Sequence, residues 1–259
     1  MPSYGTALLL SFAIGIALAV GRARPRGLDT EVVLDVSIAV VVASFLGSRL
    51  LYVALHLDQF QGADGGFWSA FVPTRTADGR FGVRGVSVMG ALPAALFAGA
   101  LVLRWKRASP LPYMDVMAPS VALGAAITRI GCFLNGCCFG VGCPAWLGVE
   151  YPAGSLPVAA LGEVTLHATP LYQSVAGVAV FAALLALDRR RPFDGAVVAS
   201  LFVLLGLQRF AVEFLRYNET HSTLASGHLT PYQVIALVLM LGGGGAMVWL
   251  HRTSLARAR

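Results

Sequence analysis

The sequence predicts an all-α, polytopic membrane protein with seven transmembrane helices and a small periplasmic cap formed by its outer loops. Composition is the first reason: the 259 residues are 57% hydrophobic and only 12% charged, whereas soluble domains carry about 25% charged residues. The second reason is that apolar runs of about 20 residues, enough to cross a bilayer, recur along the whole length. Because peptide groups in lipid must find partners within the protein, these runs are predicted to be helical.

Seven apolar segments are predicted to form a single integral membrane domain over residues 1–259. The first segment has neither a basic n-region nor a convincing cleavage site, which indicates a retained helix and not a signal peptide. No internal repeat or separate soluble domain is recognised. The predicted spans are residues 4–21, 32–57, 86–103, 113–131, 170–187, 196–215 and 232–250.

The net charge of +6 is explained by topology. Twelve of the 19 basic residues fall in four clusters, one after every second apolar segment, as the positive-inside rule expects of cytoplasmic loops. The N-terminus is therefore predicted outside and the C-terminus in the cytoplasm, and nucleic-acid binding is not expected. The clusters are Arg22/Arg24/Arg26, Arg104/Lys106/Arg107, Arg189/Arg190/Arg191 and Arg252/Arg257/Arg259.

The seven remaining basic residues are all arginines, predicted outside or in the outer half of the membrane: Arg49, Arg75, Arg80, Arg84, Arg129, Arg209 and Arg216. Three of them lie near the outward ends of even-numbered spans: Arg49, Arg129 and Arg209. A cation in hydrocarbon costs from about 3 to more than 10 kcal/mol, and guanidinium binds phosphate through two parallel hydrogen bonds.

A phospholipid headgroup is therefore the leading ligand for these arginines. Two alternatives stay open. Arg49 is close enough to the interface to snorkel, and Arg209 has Glu213 four residues on, which allows an internal ion pair.

The residues from Thr128 to Gly140 and the loop after them contain all four cysteines, spaced C-x4-C-C-x4-C. This spacing does not match paired C-x2-C zinc motifs, and no histidine is near in sequence, so no metal ligands are assigned. A disulfide bracing the turn, simple packing, and a redox or metal-binding role of the thiols remain as alternatives. His167, just before the fifth span, is a candidate proton acceptor near neutral pH or else a solvated loop residue. The cysteines are Cys132, Cys137, Cys138 and Cys143.

Several stretches in order along nearly the whole chain match one family's motifs. Residues 129–140, RIGCFLNGCCFG, are similar to the signature G-R-[IL]-G-N-F-[IL]-N-G-E-x-x-G. Residues 47–52, 167–173 and 209–216 are similar to G-G-R-[IL]-x-Y, H-P-[ST]-Q-L-Y-E and R-[FI]-x-V-E-F-[FL]-R, and Tyr4-Gly5 to W-Y-G. By these motifs the chain resembles the bacterial prolipoprotein diacylglyceryl transferase family.

The resemblance implies transfer of the diacylglyceryl group of phosphatidylglycerol to the lipobox cysteine in the signal peptide of a prolipoprotein. A thioether forms and glycerol phosphate leaves, in the bacterial cytoplasmic (inner) membrane, with no organic or metal cofactor. Carried onto this sequence, Arg129, Arg209, Glu213, Asn135 and His167 form the expected catalytic set, in which the two arginines hold phosphate and Glu213 orients Arg209 or handles a proton. The lipid-binding set adds Arg49, Tyr4, Gly140, Tyr172 and Gln173.

The chain departs from the family pattern at four positions. The family's S-[FY]-H-G-G-L histidine falls on Met89, which cannot act as a base. The first signature asparagine is Cys132, the signature glutamate is Cys137, and the glutamate after L-Y is Gln173. Three interpretations stay open: the histidine is dispensable, His167 or Glu213 substitutes for it, or the chain is a divergent relative that binds anionic phospholipid and modifies another acceptor or none.

Overall fold

A computed structural model describes residues 2–57, 74–75, 81–82, 88–190, 192–217 and 229–257, with side chains over 4–57, 90–190, 192–217 and 229–256. Helices make up most of this part of the chain, and two short strands, β1 (Thr74–Arg75) and β2 (Phe81–Gly82), pair antiparallel. The helices are α1 (Pro2–Ala23), α2 (Thr30–Leu55), α3 (Val88–Trp105), α4 (Pro110–Leu134), α5 (Leu156–Leu161), α6 (Thr169–Arg190), α7 (Ala196–Glu213) and α8 (Pro231–Arg257).

Six described helices are long and apolar enough to cross a membrane: α1 with its following turn, α2, α4, α6, α7 and α8. Among the described residues, α3 contributes a shorter apolar helix, residues 90–105, which is not one of these six. The predicted all-helical, multi-pass membrane fold is thus confirmed, whereas the count of seven spans is not. The outer segment around Arg80 and Arg84 lies outside the described residues.

Most helices extend beyond the predicted apolar windows. The largest difference is at α8, which was predicted over 232–250 and continues to Arg257, and α4 runs three residues past each predicted end. Hydropathy windows stop at the first polar residues, but a helix ends only where its last carbonyls find other partners. After α4 that place is Gly136, in the left-handed conformation at φ 68°.

The chain divides into two compact units, and the larger comprises residues 1–28 and 111–259. Its core lies where small residues let α4, α6 and α7 approach closely, the packing typical of membrane helices. The Ser174 hydroxyl donates to the Ala126 carbonyl at 3.0 Å, and a Cβ added at Gly177 would lie 3.0 Å from the Ala126 Cβ. The buried core cluster contains Ala118, Ala122, Val180, Leu184, Val197, Val198 and Leu201.

At the end of this unit that carries the basic clusters, acidic groups hold the helices together. Asp115 of α4 accepts hydrogen bonds from the backbone N–H groups of Gly195 at 2.7 Å and Val198 at 2.9 Å, so it caps α7 in place of a local side chain. Asp188 of α6 pairs with Arg22 at 2.6 Å and also with Arg26. Arg22 and Arg26 therefore share one internal acid.

The second unit, residues 29–110, is a pair of closely packed helices, α2 and α3. Gly47 and Gly90 form the contact: a Cβ on Gly90 would lie 2.2 Å from the Gly47 carbonyl oxygen, and one on Gly47 would lie 2.4 Å from the Ala94 Cβ. Lys106 and Asp35 form an ion pair at 2.6 Å near the opposite ends of the two helices. Gly47 is the first residue of the stretch 47–52 that is similar to a family motif, so this motif includes a close helix contact.

Replacing Asp115 with alanine is expected to destabilise the protein, because two buried N–H groups at the start of α7 lose their acceptor. A buried donor left without a partner costs about 1–3 kcal/mol. Asp115→Asn keeps one acceptor oxygen and should fall between wild type and alanine. Thermal unfolding in detergent measures the effect, with exposed Glu163→Ala as the control that should match wild type. Equal melting temperatures for the two alanine variants would contradict the capping role.

Candidate functional site

The signature turn begins where α4 ends in a Schellman motif. The Cys137 N–H donates to the Cys132 carbonyl at 3.1 Å, and the Gly136 N–H donates to the Phe133 carbonyl at 3.0 Å. Cys138 follows with φ 64°, a left-handed conformation that is uncommon for a residue with a side chain. The sequence Asn-Gly-Cys-Cys therefore forms a tight reversal that directs the chain from the helix end into the outer loop.

Main-chain hydrogen bonds join this turn to two distant segments. The Gly140 N–H donates to the His167 carbonyl at 2.9 Å, and the Val141 N–H donates to the Leu215 carbonyl at 3.0 Å. The Tyr217 N–H donates to the Phe139 carbonyl at 3.2 Å, and the rings of those two residues stack with centroids 5.5 Å apart. Three of the motifs recognised in the sequence thus meet through their backbones.

Gly140 lies at the centre of this meeting and has no room for a side chain. A Cβ there would lie 2.5 Å from the Leu215 carbonyl oxygen, 2.6 Å from the His167 Cβ and 2.9 Å from the Thr169 Cγ2. The fully buried Thr169 also donates its hydroxyl to the Cys138 carbonyl at 2.5 Å. Gly140 therefore lets the segments approach, and its part in lipid binding stays a prediction.

His167 and Tyr172 form the next part of the site. His167 is buried, and its Nδ1 lies 3.3 Å from the Tyr172 hydroxyl, which itself donates to the Leu147 carbonyl at 2.7 Å. Because the tyrosine proton is used on Leu147, the tyrosine oxygen is free to accept from Nδ1–H of His167, which makes Nε2 the nitrogen available to other groups. The solvated alternative considered for His167 is therefore wrong.

Arg209 and Glu213 form the ion pair that their spacing allowed. Arg209 Nη2 lies 2.7 Å from Glu213 Oε2, and the Glu213 side chain is fully buried. Thr230 donates its hydroxyl to Glu213 Oε1 at 3.0 Å, and the Arg209 guanidinium carbon lies 4.7 Å from the ring centroid of Tyr232. The start of α8 thus fixes both members of the pair.

Two further arginines share this region. Arg216 lies with its guanidinium carbon 5.9 Å from the Tyr232 ring centroid and its Nη2 3.6 Å from Cys138 Sγ. The positive charge of Arg129 is close enough to repel that of Arg209 and to attract the sulfur of Cys138. The positive charges of Arg209 and Arg216 also repel each other. Glu213 is the acid paired with Arg209, so this group of side chains carries excess positive charge.

Within the described part of the chain, two nitrogens of this group are buried without a hydrogen-bond partner: Arg209 Nη1 and Arg216 Nε. Most buried polar atoms in proteins are paired, and leaving one unpaired costs about 1–3 kcal/mol, more for charged groups. An anion bound between the guanidinium groups would supply the missing acceptors. Phosphate fits best because its oxygens match the guanidinium fork.

Tyr4 and Asn135 complete the neighbourhood of the signature. Gly131 lets α1 come close: a Cβ there would lie 2.7 Å from the Ala7 Cβ and 3.4 Å from the Tyr4 Cα. The positive charge of Arg129 is close enough to act on the Tyr4 hydroxyl. Half-buried Asn135 caps α4, with its side chain bonded to Cys137. Both residues therefore lie by the signature turn, and their part in binding a headgroup stays a prediction.

A cleft opens beside the signature turn, lined by residues of the turn, of α5 and of the segment after α7. One wall is apolar and the other presents thiols, a guanidinium and a phenol. The lining residues are Cys137, Cys138, Phe139, Leu156, Ala159, Ala160, Arg216 and Tyr217. Such a cleft suits a molecule with both a hydrocarbon part and an anionic part.

All four cysteines carry free thiols, so the structure has no disulfide bracing the turn. Three of them, Cys132, Cys137 and Cys138, lie together with their sulfurs within 4.8 Å of one another. Hydrogen bonds from Cys132 and Cys137, followed by the charges of Arg216 and Arg129, lower the pKa of the Cys138 thiol. Cys143 lies next to Gly148 and its N–H donates to the Thr165 carbonyl at 3.0 Å.

The structure does not bring every predicted residue to this site. Arg49 belongs to the second unit, where its guanidinium carbon lies 5.7 Å from the Tyr52 ring centroid, and its participation stays a prediction. Gln173 is buried in α6, and its carbonyl accepts from the Gln208 side chain at 2.7 Å. Met89 lies at the start of α3, and its side chain is outside the described residues.

Sequence reasoning missed four residues of the site. Arg216 closes a quoted motif and was counted among the outer arginines, but its contact with the signature turn required the fold. Thr230 and Tyr232 had no signal beyond their position before the last span. Tyr151 lies near the Phe139 ring, and burial raises its pKa to about 12, so the hydroxyl stays a protonated donor.

The fold and site together define a multi-pass membrane protein with a group of arginines beside its signature turn. The family described as prolipoprotein diacylglyceryl transferase matches residues 1–249, and the chain belongs to this family. A phosphatidylglycerol–prolipoprotein diacylglyceryl transferase of Thermosynechococcus vestitus is 32% identical over 96% of this chain and 88% of its own length.

Two further relatives show the same extent of similarity. A phosphatidylglycerol–prolipoprotein diacylglyceryl transferase of Prochlorococcus marinus is 30% identical over 96% of this chain and 86% of its own length. Phosphatidylglycerol–prolipoprotein diacylglyceryl transferase 2 of Clostridium perfringens is 26% identical over 93% and 88%. The similarity spans nearly the whole of each chain. It therefore covers the signature turn, the helix α4 that carries Arg129 and the helix α7 that carries Arg209.

Gly140→Ala is expected to lower the melting temperature markedly, because its Cβ would meet the Leu215 carbonyl oxygen and the His167 Cβ, neither of which can rotate away. Overpacking costs roughly 1–3 kcal/mol, and here it would also separate the segments that carry the arginines. Gly142→Ala is the matched control, since the nearest atom to its Cβ would be the Thr165 carbonyl oxygen at 4.0 Å. Equal thermal stability and equal lipid binding in the two variants would show that Gly140 is not a packing constraint.

Proposed function

We propose that this chain transfers the diacylglyceryl group of phosphatidylglycerol to a cysteine thiol of a prolipoprotein. The observation that carries the proposal is the group of three arginines, Arg129, Arg209 and Arg216, with Glu213 as its paired acid. It lies within a chain of the prolipoprotein diacylglyceryl transferase family. The relatives' names supply the donor and acceptor classes, and the site supplies the means of holding the donor's phosphate.

In the proposed complex, the phosphate of phosphatidylglycerol occupies the space between the guanidinium groups. It accepts from Arg209 Nη1 and Arg216 Nε, the two buried nitrogens without partners, and Arg129 adds a third positive charge. Glu213 and Tyr232 hold Arg209 in place before the lipid binds, so little reorganisation is needed. Donors fixed in advance stabilise charge that develops on the leaving group.

The bond changes balance as follows. The acceptor thiolate attacks the glyceryl carbon that bears the phosphate ester, a carbon–sulfur bond forms, and the carbon–oxygen bond to phosphate breaks. Glycerol phosphate leaves with the bonding electron pair as an anion held by the arginines. The thiol proton goes to a base of the protein or to solvent, and the product is a thioether.

His167 is the proposed proton acceptor. Its Nδ1 is committed to Tyr172, so Nε2 carries the lone pair, and neutral histidine is basic in the physiological range. Glu213 is the less suitable base because it is already held by Arg209 and Thr230. His167 would thus take the role that Met89 cannot perform.

The proposed acceptor is the lipobox cysteine in the signal peptide of a prolipoprotein. A signal peptide is an apolar segment, and the cleft beside the signature turn has an apolar wall that includes Leu156, Ala159 and Ala160. That wall lies next to Arg216, so an acceptor bound there would approach the same region as the lipid phosphate. The alternative is a divergent relative that binds anionic phospholipid without this transfer, which the methionine at position 89 favours.

The test is transfer by the purified chain of labelled diacylglycerol from phosphatidylglycerol to a lipobox peptide. Wild type should form the thioether, and Arg129→Ala should lower the rate by about 100-fold or more, as when one charge-stabilising donor is lost. Arg209→Lys keeps the charge but loses the fork and should also be impaired. The control is Arg252→Ala, an exposed residue of α8, which should transfer at the wild-type rate.

Binding of phosphatidylglycerol in the same preparations separates the two functions. Lipid binding that depends on Arg129 without any transfer would establish the divergent lipid-binding relative and refute the transferase. Transfer at the wild-type rate by Arg129→Ala would refute the assignment of the arginine group as the phosphate site.

We further propose that the protein lies in a bacterial cytoplasmic membrane with its N-terminus outside and its C-terminus in the cytoplasm. The support is the placement of the basic clusters after alternate apolar segments. The signature turn and its cleft would then face the periplasm, the side where lipobox cysteines emerge.

This orientation predicts that a green fluorescent protein fused after Arg259 fluoresces, while alkaline phosphatase fused there stays inactive because it does not reach the oxidising side. Fusions before the first residue should give the opposite pair of results. An active C-terminal phosphatase would reverse the proposed topology.

A further inference from the structure

We propose that Cys132, Cys137 and Cys138 form a binding site for a thiophilic d10 cation, Cu⁺ or Zn²⁺. The site adjoins the proposed phosphate site, because Arg216 and Arg129 act on Cys138 as well. Two of its thiols, Cys132 and Cys137, occupy signature positions that are asparagine and glutamate in the family pattern. The proposal stands on the arrangement of the three thiols, which the sequence spacing did not reveal.

The separation of the sulfurs is close to what a metal requires. All three Sγ atoms lie within 4.8 Å of one another. With metal–sulfur bonds of about 2.3 Å, tetrahedral geometry holds the sulfurs about 3.8 Å apart. Side-chain adjustments of about an ångström would therefore complete the site, without any rearrangement of the backbone.

The backbone brings the thiols together through the Schellman motif. Its bond from the Cys137 N–H to the Cys132 carbonyl places residues five apart beside each other. Cys138 adds the third thiol by adopting φ 64°, a conformation that costs free energy in a residue with a Cβ. Strained residues of this kind occur at functional sites, where the surrounding structure holds them.

The surrounding charges favour a metal–thiolate centre. Three thiolates with Cu⁺ or Zn²⁺ carry a net negative charge, because the sulfur charges outnumber those of the ion. Arg216 Nη2 lies 3.6 Å from Cys138 Sγ and Arg129 also acts on this thiol, so cations are present to balance the centre. Hydrogen bonds and charges around thiolate ligands commonly tune the affinity of a metal site.

The ligand set selects the ion by chemistry. Soft thiolates favour Cu⁺ and Zn²⁺ over hard cations such as Mg²⁺ and Ca²⁺, which take oxygen ligands. Three sulfurs satisfy Cu⁺, whereas Zn²⁺ would take its fourth ligand from water. Cys137 and Cys138 line the cleft, which provides an entry path for the ion. Binding exchanges the thiol protons for metal–sulfur bonds and releases those protons to solvent.

The experiment uses the full-length protein in zwitterionic nanodiscs, reduced and without added metal. Titration with Zn²⁺, and separately with Cu⁺ under anaerobic conditions, is followed by metal content per chain and by the thiolate-to-metal charge-transfer absorption. We expect one ion per chain in at least one arm, and the tighter arm identifies the ion. Alkylation before titration counts the thiols and excludes a sample that has formed disulfides.

Cys143→Ser is the matched control and should bind as wild type, since this thiol is outside the cluster. Cys137→Ser and Cys138→Ser should each weaken binding more than about 100-fold, because loss of a ligand exceeds the 10–100-fold effect of losing a second-shell partner. Cys132 is buried, so its serine variant counts only if helix content and phosphatidylglycerol binding match wild type. Unchanged binding in folded Cys137→Ser/Cys138→Ser, no binding in either arm by the fully reduced protein, or a loss confined to Cys143→Ser would each overturn the proposal.

Discussion

The site depends on one packing constraint, the approach of three chain segments at Gly140. The turn after α4, the strand-like residues before α6 and the end of α7 exchange main-chain hydrogen bonds there, with no space for a Cβ between them. Main-chain bonds fix positions more rigidly than side-chain contacts, because few torsions remain free. The guanidinium groups of Arg209 and Arg216 therefore keep their placement beside the signature turn through backbone geometry, before any ligand contributes.

The two ends of the larger unit use arginine in opposite ways. Where the basic clusters lie, Arg22 and Arg26 share Asp188, and Asp115 caps α7, so acidic groups pair with cations and with the start of a helix. At the signature turn, Glu213 is the acid paired with Arg209, and within the described part of the chain Arg209 Nη1 and Arg216 Nε are buried without a hydrogen-bond partner. This contrast supports the proposal of an external anion at the signature turn, because an unpaired buried cation reduces stability unless a ligand completes it.

Composition and charge placement were enough to predict a helical, multi-pass fold, because hydropathy and the positive-inside rule depend on local sequence. They did not establish the seventh span, because within the described part of the chain the apolar helix of α3 covers residues 90–105. The ion pair between Arg209 and Glu213 was predictable because four residues is one helical turn. The contact of Arg216 with Cys138 and that of Thr230 with Glu213 were not, since they join elements whose pairing only tertiary packing decides.

The cysteines show most clearly where spacing fails as a guide. Zinc motifs are recognised by short, regular intervals because a knuckle or hairpin presents both sulfurs from one local structure. Here the C-terminal cap of α4 brings together Cys132 and Cys137, which are five residues apart. Cys138, in the left-handed conformation, adds the third thiol. A motif search tuned to C-x2-C does not detect this geometry. The departure from the family signature at these positions therefore does not imply the loss of a site. The asparagine and glutamate are replaced by cysteines whose sulfurs, with that of Cys138, lie within 4.8 Å of one another.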